Sequence, residues 1–338
     1  PYRFAEWRRG EGVRVVANPD YHNGRPALDE VEFKVVPDLA DALDRLKRGA
    51  VDFVTQDVPC ERYDELAESR GIKLASGSGN ALNHVTFNFD RAPWADRRVR
   101  EAVSRAVDRE RLAKAVCPRA EPAAHAYLQR VEWAFDATAT FPEYDSRKAT
   151  SLLAAAGLRP GADGVRVRGR MVCRQLFPFH VRLAQELALA LAKVGIVVRV
   201  DRLDATQWKE QVQEGHDFDL LVDGLGIGPD PVFLEEMLAS ESVLNVGHYR
   251  NAELDELFRK GKATHDLAER GAAYKAAQAI VVRDMPRIHL IRHVNHHGYR
   301  SRWSGWSWDP SIRGTIPFWD LERIRRSSDR GSESGVQP

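Results

Sequence analysis

Long apolar runs are missing from this chain. No stretch approaches the ~18 residues that a membrane-crossing helix needs. The chain begins on Pro1 rather than methionine and runs straight into aromatic, strand-like sequence, so the lack of a visible leader carries no information about targeting. Cysteine is scarce. Cys60, Cys117 and Cys173 are the only three among 338 residues. An odd number at wide spacing argues against a disulfide framework and against a cysteine-ligated zinc site. At most one pair can form, and the expectation is buried thiols acting as small apolar residues. Net charge is nearly absent, with 50 basic against 49 acidic residues. Nothing therefore draws the chain to nucleic acid or to an anionic membrane. Runs such as Arg97-Arg98 and Arg325-Arg326 read as solvated faces. Catalytic signatures are missing too: no GxSxG elbow, HExxH helix, EF-hand loop or P-loop occurs. Spacing alone cannot exclude groups that assemble in space, but nothing points to catalysis, and neither an enzyme nor a cofactor is expected.

What is present is a core. Hydrophobic residues make up 43% and charged residues 29%, enough to bury a full interior. The length suits about two domains. Val31, Phe33 and Val35 alternate on one face of "EVEFKVV", which predicts a strand. A helix comes next, capped by Asp38, striped by Leu39, Ala42, Leu43 and Leu46, and stopped by Gly49. "AVDFV" then predicts a second strand, and the rhythm suggests a parallel α/β unit. Further strands are expected at 84–90, 196–200, 218–223 and 287–294. Further helices are expected after Asp96, after Asp145, over 179–194, and near 252–262 and 267–284. The stretch 117–144 reads as a long connection.

Several of these segments together resemble one family, the family 5 extracellular solute-binding proteins of ABC importers. The opening "PYRFAEW…NPDYHNGRPALDEVEF" is similar to the family's "GPYRF…NPDYW…P.LDEV.F" block. "LKRGAVDFV", "FNFDRAPWADRRVREAVSRAVDRERL", "YDSRKATSLLAAAGL", "LALAKVGIVVRV" and "NVGHYRNAELDELF" resemble further blocks in family order. The resemblance covers nearly the whole chain. It implies an α/β fold of the class II periplasmic-binding-protein type, a two-lobed clamp with mixed sheets flanked by helices. Residues 1–95 would form lobe one, 96–295 lobe two and 296–325 a return to lobe one, with 326–338 a disordered tail. The family's opening block lies well inside lobe one, so the chain is expected to be the C-terminal part of a longer receptor, with lobe one incomplete and a leader upstream. The implied role is a monomeric receptor, periplasmic or extracellular and membrane-anchored. It would hold a peptide-like solute, opine, sugar or chelate and deliver it to ABC permease subunits, with no nucleic acid involved. A cytoplasmic ligand-sensing domain of a transcription regulator would use the same fold.

The resemblance also directs attention to "FDLLVDGLGIGPDPVF". Glycines after a strand suit a dinucleotide fingerprint, but Pro229-Asp230-Pro231 breaks the helix that such a fingerprint opens. The segment instead matches the family's lobe-two ligand segment, where glycines allow close backbone approach. Peptide-binding relatives place an aspartate here against the peptide's ammonium. That position falls at Ile227 or Gly228, and the usual tryptophan falls at Gly224 or Leu225, so neither charge nor indole is kept. Asp223 is the available substitute, or else a solvated strand-end carboxylate. The expected ligand residues are Asp223, Gly224, Leu225, Gly226 and Ile227, joined by His84 and Thr86. The last two alternate with Phe87 and Phe89 on one strand. His289, His293, His296 and His297 cluster in sequence, but His289 and His293 would lie about 13 Å apart on a strand, and no metal is expected there. Trp303, Trp306 and Trp308 are expected to pack rather than bind.

Overall fold

The structure, a computed structural model, describes residues 1–127, 131–226, 230–306 and 321–327, with only the backbone of 78–81, 225, 226 and 293 described. In chain order the strands are β1 (Tyr2–Arg8), β2 (Gly12–Ala17), β3 (Glu30–Lys34), β4 (Ile72–Phe87), β5 (Glu121–Pro122), β6 (Val167–Arg174), β7 (Ile196–Leu203), β8 (Leu220–Gly226), β9 (Arg287–Arg300), β10 (Trp303–Ser304) and β11 (Arg325–Arg326). The α-helices are α1 (Leu39–Arg48), α2 (Tyr63–Ala67), α3 (Arg97–Arg105), α4 (Arg109–Val116), α5 (Ser146–Ala155), α6 (Pro178–Ala192), α7 (Ala205–Trp208), α8 (Val232–Leu238), α9 (Ala252–Ala263) and α10 (Leu267–Asp284).

The chain forms two compact units. Unit one holds Pro1–Ser78 and the described residues from Asn295 onward, and unit two holds Gly79–Val294. The chain leaves unit one within β4 and returns within β9.

Unit one carries an antiparallel sheet in the order β1-β2-β3. Cross-strand pairing places Trp7, Val13 and Phe33 side by side. A separate core gathers Ala42, Leu43 and Leu46 of α1 with Val54, Val58, Leu66 and Ile72. Local chemistry sets the α1 boundaries. The Asp38 side chain accepts from the Asp41 backbone N–H, and Gly49 closes the helix at φ 77°, where a side chain would be strained. Trp306 stacks on Phe53 with ring centres 4.6 Å apart, a packing role as expected. Trp308 lies outside the described residues.

Unit two is built on a mixed sheet in the order β5-β9-β4-β8-β6-β7. β6 and β7 are parallel, joined through α6, and β8 runs parallel to β6 but antiparallel to β4. Period-two alternation assigns the two faces. Val85, Phe87, Met171, Cys173, Leu220 and Val222 face the larger core, with Leu183 and Leu187 of α6. Val172 and Leu221 face the other way, with Trp208, Val212 and Phe218. Arg100 of α3 is buried and uses its guanidinium as a backbone bracket. It donates to the Trp94 and Ala95 carbonyls and twice to the Asp284 carbonyl, over the face of Phe89.

Four expectations need correction. The parallel unit at 30–54 is absent: β3 sits in an antiparallel sheet, and Phe53 makes only an isolated bridge to Tyr299. Its partner lies far along the chain, so nothing local announces it. The first crossing falls at Ser78/Gly79 rather than near 95, because residues 82–87 pair with β8 inside unit two. The segment 321–327 is built in, with β11 paired to β10 and Ser327 N–H donating to the Arg302 carbonyl, so Arg326 does not begin a disordered tail. Finally, Cys173 is a free buried thiol, whereas Cys60 and Cys117 are disulfide-bonded, so the apolar-thiol expectation holds for Cys173 alone.

Candidate ligand-binding site

The antiparallel pairing of β4 with β8 sets the candidate site. Register places His84 opposite Asp223, Asn83 opposite Gly224, Leu82 opposite Leu225 and Thr86 opposite Leu221. Two expected residues far apart in sequence, His84 and Asp223, are thus cross-strand neighbours. Gly224 is beside them, and the Gly226 backbone pairs one step further at Ala81. Ile227 lies outside the described residues. Thr86 is set apart from the others. It is buried against Gly247, and its hydroxyl has no hydrogen-bond partner among the described residues.

Gly224 is required by close approach. A Cβ there would stand 2.3 Å from Asn83 Oδ1 and 2.8 Å from His180 Nε2. Those two atoms hydrogen-bond to each other at 3.0 Å across the glycine. His180 is placed by α6, which opens on Pro178, a residue preorganised for the first helical turn.

Asp223 is mostly buried and stands among cations. One carboxylate oxygen accepts the Gly224 N–H at 2.9 Å and lies 3.6 Å from His180 Nδ1. The other lies 3.8 Å from Arg174 Nε. Arg174 is held in turn over the Trp208 ring at 4.1 Å. Arg287 of β9 adds a buried positive charge. Its guanidinium donates to the Met237 and Leu244 carbonyls at 3.2 and 2.9 Å, and burial brings its pKa down to about 10, opposed by Asp223. The same guanidinium reaches His84 Nε2 at 3.4 Å. An arginine only donates, so that ring nitrogen accepts, and the Nδ1–H of His84 donates to the Leu82 carbonyl at 3.0 Å. Burial, with Arg287 and His289 nearby, holds His84 well below the ordinary histidine range. His289, on the same face of β9, donates from Nδ1 to the His125 carbonyl at 2.7 Å, and burial brings it down to about 4. Both rings are neutral polar fixtures. The arrangement offers one carboxylate already flanked by three cationic or imidazole groups, and it suits ordered polar recognition rather than charge capture.

Sequence reasoning misses Asn83, Arg174, His180 and Arg287. Arg287 and His289 alternate in "RIHLIRHV", so a period-two count can find Arg287. Asn83 and His180 carry no local signal, because the pair forms only through tertiary packing.

Comparison with known proteins identifies the family. The description "Bacterial extracellular solute-binding proteins, family 5 Middle" matches residues 1–243. The chain belongs to this family. Family 5 members are binding proteins, and this chain is 26% identical over 322 residues to the oligopeptide-binding protein AppA of Bacillus subtilis, covering 92% of this chain and 59% of that protein. A solved structure of NikZ from Campylobacter jejuni, in complex with Ni(L-His), superposes with a TM-score of 0.81 at 25% identity, covering 96% of this chain and 68% of that one. The substrate-binding protein CtaP of Listeria monocytogenes superposes with a TM-score of 0.86 at 21% identity, covering 97% and 66%. The family 5 chain described here thus spans a little under two thirds of the curated relative's length, and its mixed α/β architecture is the family's fold.

Proposed function

We propose that this chain is part of a receptor that captures a small solute outside the cytoplasmic membrane and delivers it to an ABC permease. The observation that carries the proposal is the family match over residues 1–243. The named relatives support it, being an oligopeptide-binding protein, a nickel–histidine-complexed protein and an ABC transporter substrate-binding protein. The sensor reading draws no support from them. Recognition in such a receptor needs binding and release only, with transport energy supplied by the partner ATPase, so no catalytic step is invoked.

The ligand end that meets β8 is proposed to be neutral or anionic. An α-ammonium needs an uncommitted carboxylate, a charge-assisted contact worth roughly 1.5–3 kcal/mol. Asp223 is already engaged by the Gly224 N–H and flanked by Arg174 and His180. Calorimetry of the purified protein with a mixed library of free di- to pentapeptides tests this, and weak or no binding is expected. Submicromolar binding that requires a free N-terminus and survives Asp223→Asn would overturn it. Loss of such binding in Asp223→Asn alone would make Asp223 the ammonium partner.

A further inference from the structure

The outermost strand of the unit-two sheet leaves one side of its backbone unpaired. β7 is the last strand in the order β5-β9-β4-β8-β6-β7 and pairs with β6 alone. It runs for 8 residues, longer than the usual strand, and its register along β6 is unbroken. Its two sides can be assigned. The Gly195 carbonyl accepts from the Arg166 N–H and the Leu203 carbonyl from the Gln175 N–H, so both point toward β6. Backbone groups of successive strand residues point to opposite sides, so those of Val197, Arg199 and Asp201 also turn inward. Val198, Val200 and Arg202 therefore turn their N–H and carbonyl groups away from the sheet. Among the described residues no hydrogen bond reaches these groups from outside.

Edge strands are ordinarily blunted by proline, by a bulge or by a run of like charge. β7 has no proline and no bulge, and its charges are mixed in sign. Arg199 and Asp201 lie two residues apart on one face. The Arg199 side chain is 73% exposed. Asp201 accepts from Arg170 at 2.7 Å and from Arg199 at 2.9 Å, both through Oδ2, and Oδ1 takes no bond among the described residues.

This edge is complementary to itself in one antiparallel register. The outward groups must meet, so Val198, Val200 and Arg202 have to face one another. With Val200 opposite its twin, Val198 faces Arg202 of the second copy, and each facing pair exchanges both main-chain hydrogen bonds. Arg199 then faces Asp201 at both symmetric positions, on the closely spaced pairs where side chains interact most. Slipping the register one way sets Arg199 against its own twin. Slipping it the other way sets Asp201 against its twin. Like charges directly opposite are destabilising, and wider slips shorten the overlap. Attractive pairs thus favour one register, and repulsive pairs isolate it on each side.

We propose that β7 is a self-pairing edge, through which two copies of this chain join antiparallel about Val200 into one continuous sheet with twofold symmetry. This departs from the monomer that the family resemblance implies. A contact of strand on strand sits at the low end of specific interface sizes, so the association is micromolar.

Sedimentation velocity of the 338-residue chain from about 5 to about 200 µM is the first test. A dimer forming at tens of micromolar is expected, and a monomer throughout would overturn the proposal. Arg199→Glu places a carboxylate opposite Asp201 twice and should weaken association at least about tenfold, whereas Arg199→Lys should keep it. Arg199 is exposed, so both variants should fold, as a melt checks. Unchanged association in Arg199→Glu would also overturn the proposal. Cysteine crosslinking reads the register. Cys173 is buried, and Cys60 and Cys117 are disulfide-bonded, so the background is low. In the proposed register the Cα atoms of the two Val200 residues stand about 5.5 Å apart, within disulfide reach. Val198 and its twin are about 13 Å apart along the strands. Val200→Cys should therefore crosslink on oxidation and Val198→Cys should not. A dimer that crosslinks through both positions equally, through Val198→Cys alone, or through neither uses another interface and refutes this one.

Discussion

His289→Gln isolates one source of acid sensitivity in unit two. Burial lowers the His289 pKa from the ordinary 6.5 to about 4, while the unfolded chain keeps the ordinary value. Between those two values the unfolded state binds a proton that the folded state refuses, so stability falls as the pH falls. The loss begins near pH 6.5 and is complete below about 4. That gap, at roughly 1.4 kcal/mol per pH unit, gives about 3 kcal/mol. Glutamine keeps a donor for the His125 carbonyl but does not titrate. It loses the edge contact with Phe141, whose ring centre lies 5.4 Å away, so the variant should start about 1 kcal/mol less stable at pH 7.5. Urea unfolding of both proteins at several pH values is the assay. Carboxylate losses common to the two cancel in the difference. The wild-type advantage should shrink and then reverse on acidification, changing by about 3 kcal/mol between pH 7 and 4. A difference that stays constant with pH would refute the argument that His289 is buried neutral.

Other substitutions probe separate parts of the fold. Gly224→Ala should cost about 1–3 kcal/mol, because its Cβ displaces Asn83 and His180; a thermal melt matching wild type would count against that close approach. Arg100→Lys should lose at least about 2 kcal/mol, since one ammonium cannot serve the Trp94, Ala95 and Asp284 carbonyls together, and denaturant midpoints would show it. Asp266→Ala should lower stability by about 1 kcal/mol in the same assay, because the Asp266 side chain accepts from both the Ala268 and Glu269 N–H groups at the start of α10.

Where sequence speaks clearly, the chemistry is local. Asp38, Asp96, Asp145 and Asp266 each cap a helix with a side-chain acceptor, and Gly49 and Gly195 sit at positive φ near helix ends. The strands expected at 196–200 and 287–294 are observed within β7 and β9, and the one expected at 218–223 overlaps β8, which starts at Leu220. What the sequence hides is pairing. β6 escapes notice because "VRGRMVCR" interrupts its apolar residues with arginines. The segment 50–54 reads as a strand of a parallel unit, but it makes only an isolated bridge, from Phe53 to the remote Tyr299. At the candidate site His84 and Asp223 each stand out for their own strand position, but their adjacency depends on a register that no single strand encodes.

Unit two is one uninterrupted stretch of chain whose ends leave through neighbouring strands, β4 and β9. During synthesis its last residue, Val294, emerges before any of the returning segment of unit one. Every contact unit two needs is then available, so it can be complete while unit one still waits. Unit one cannot close earlier, because Val54 N–H bonds the Gly298 carbonyl and the Ser76 hydroxyl bonds His296. A ribosome therefore meets the two halves in an order opposite to that of their first residues: the segment begun later is finished first, and the segment begun first is sealed only by residues made last.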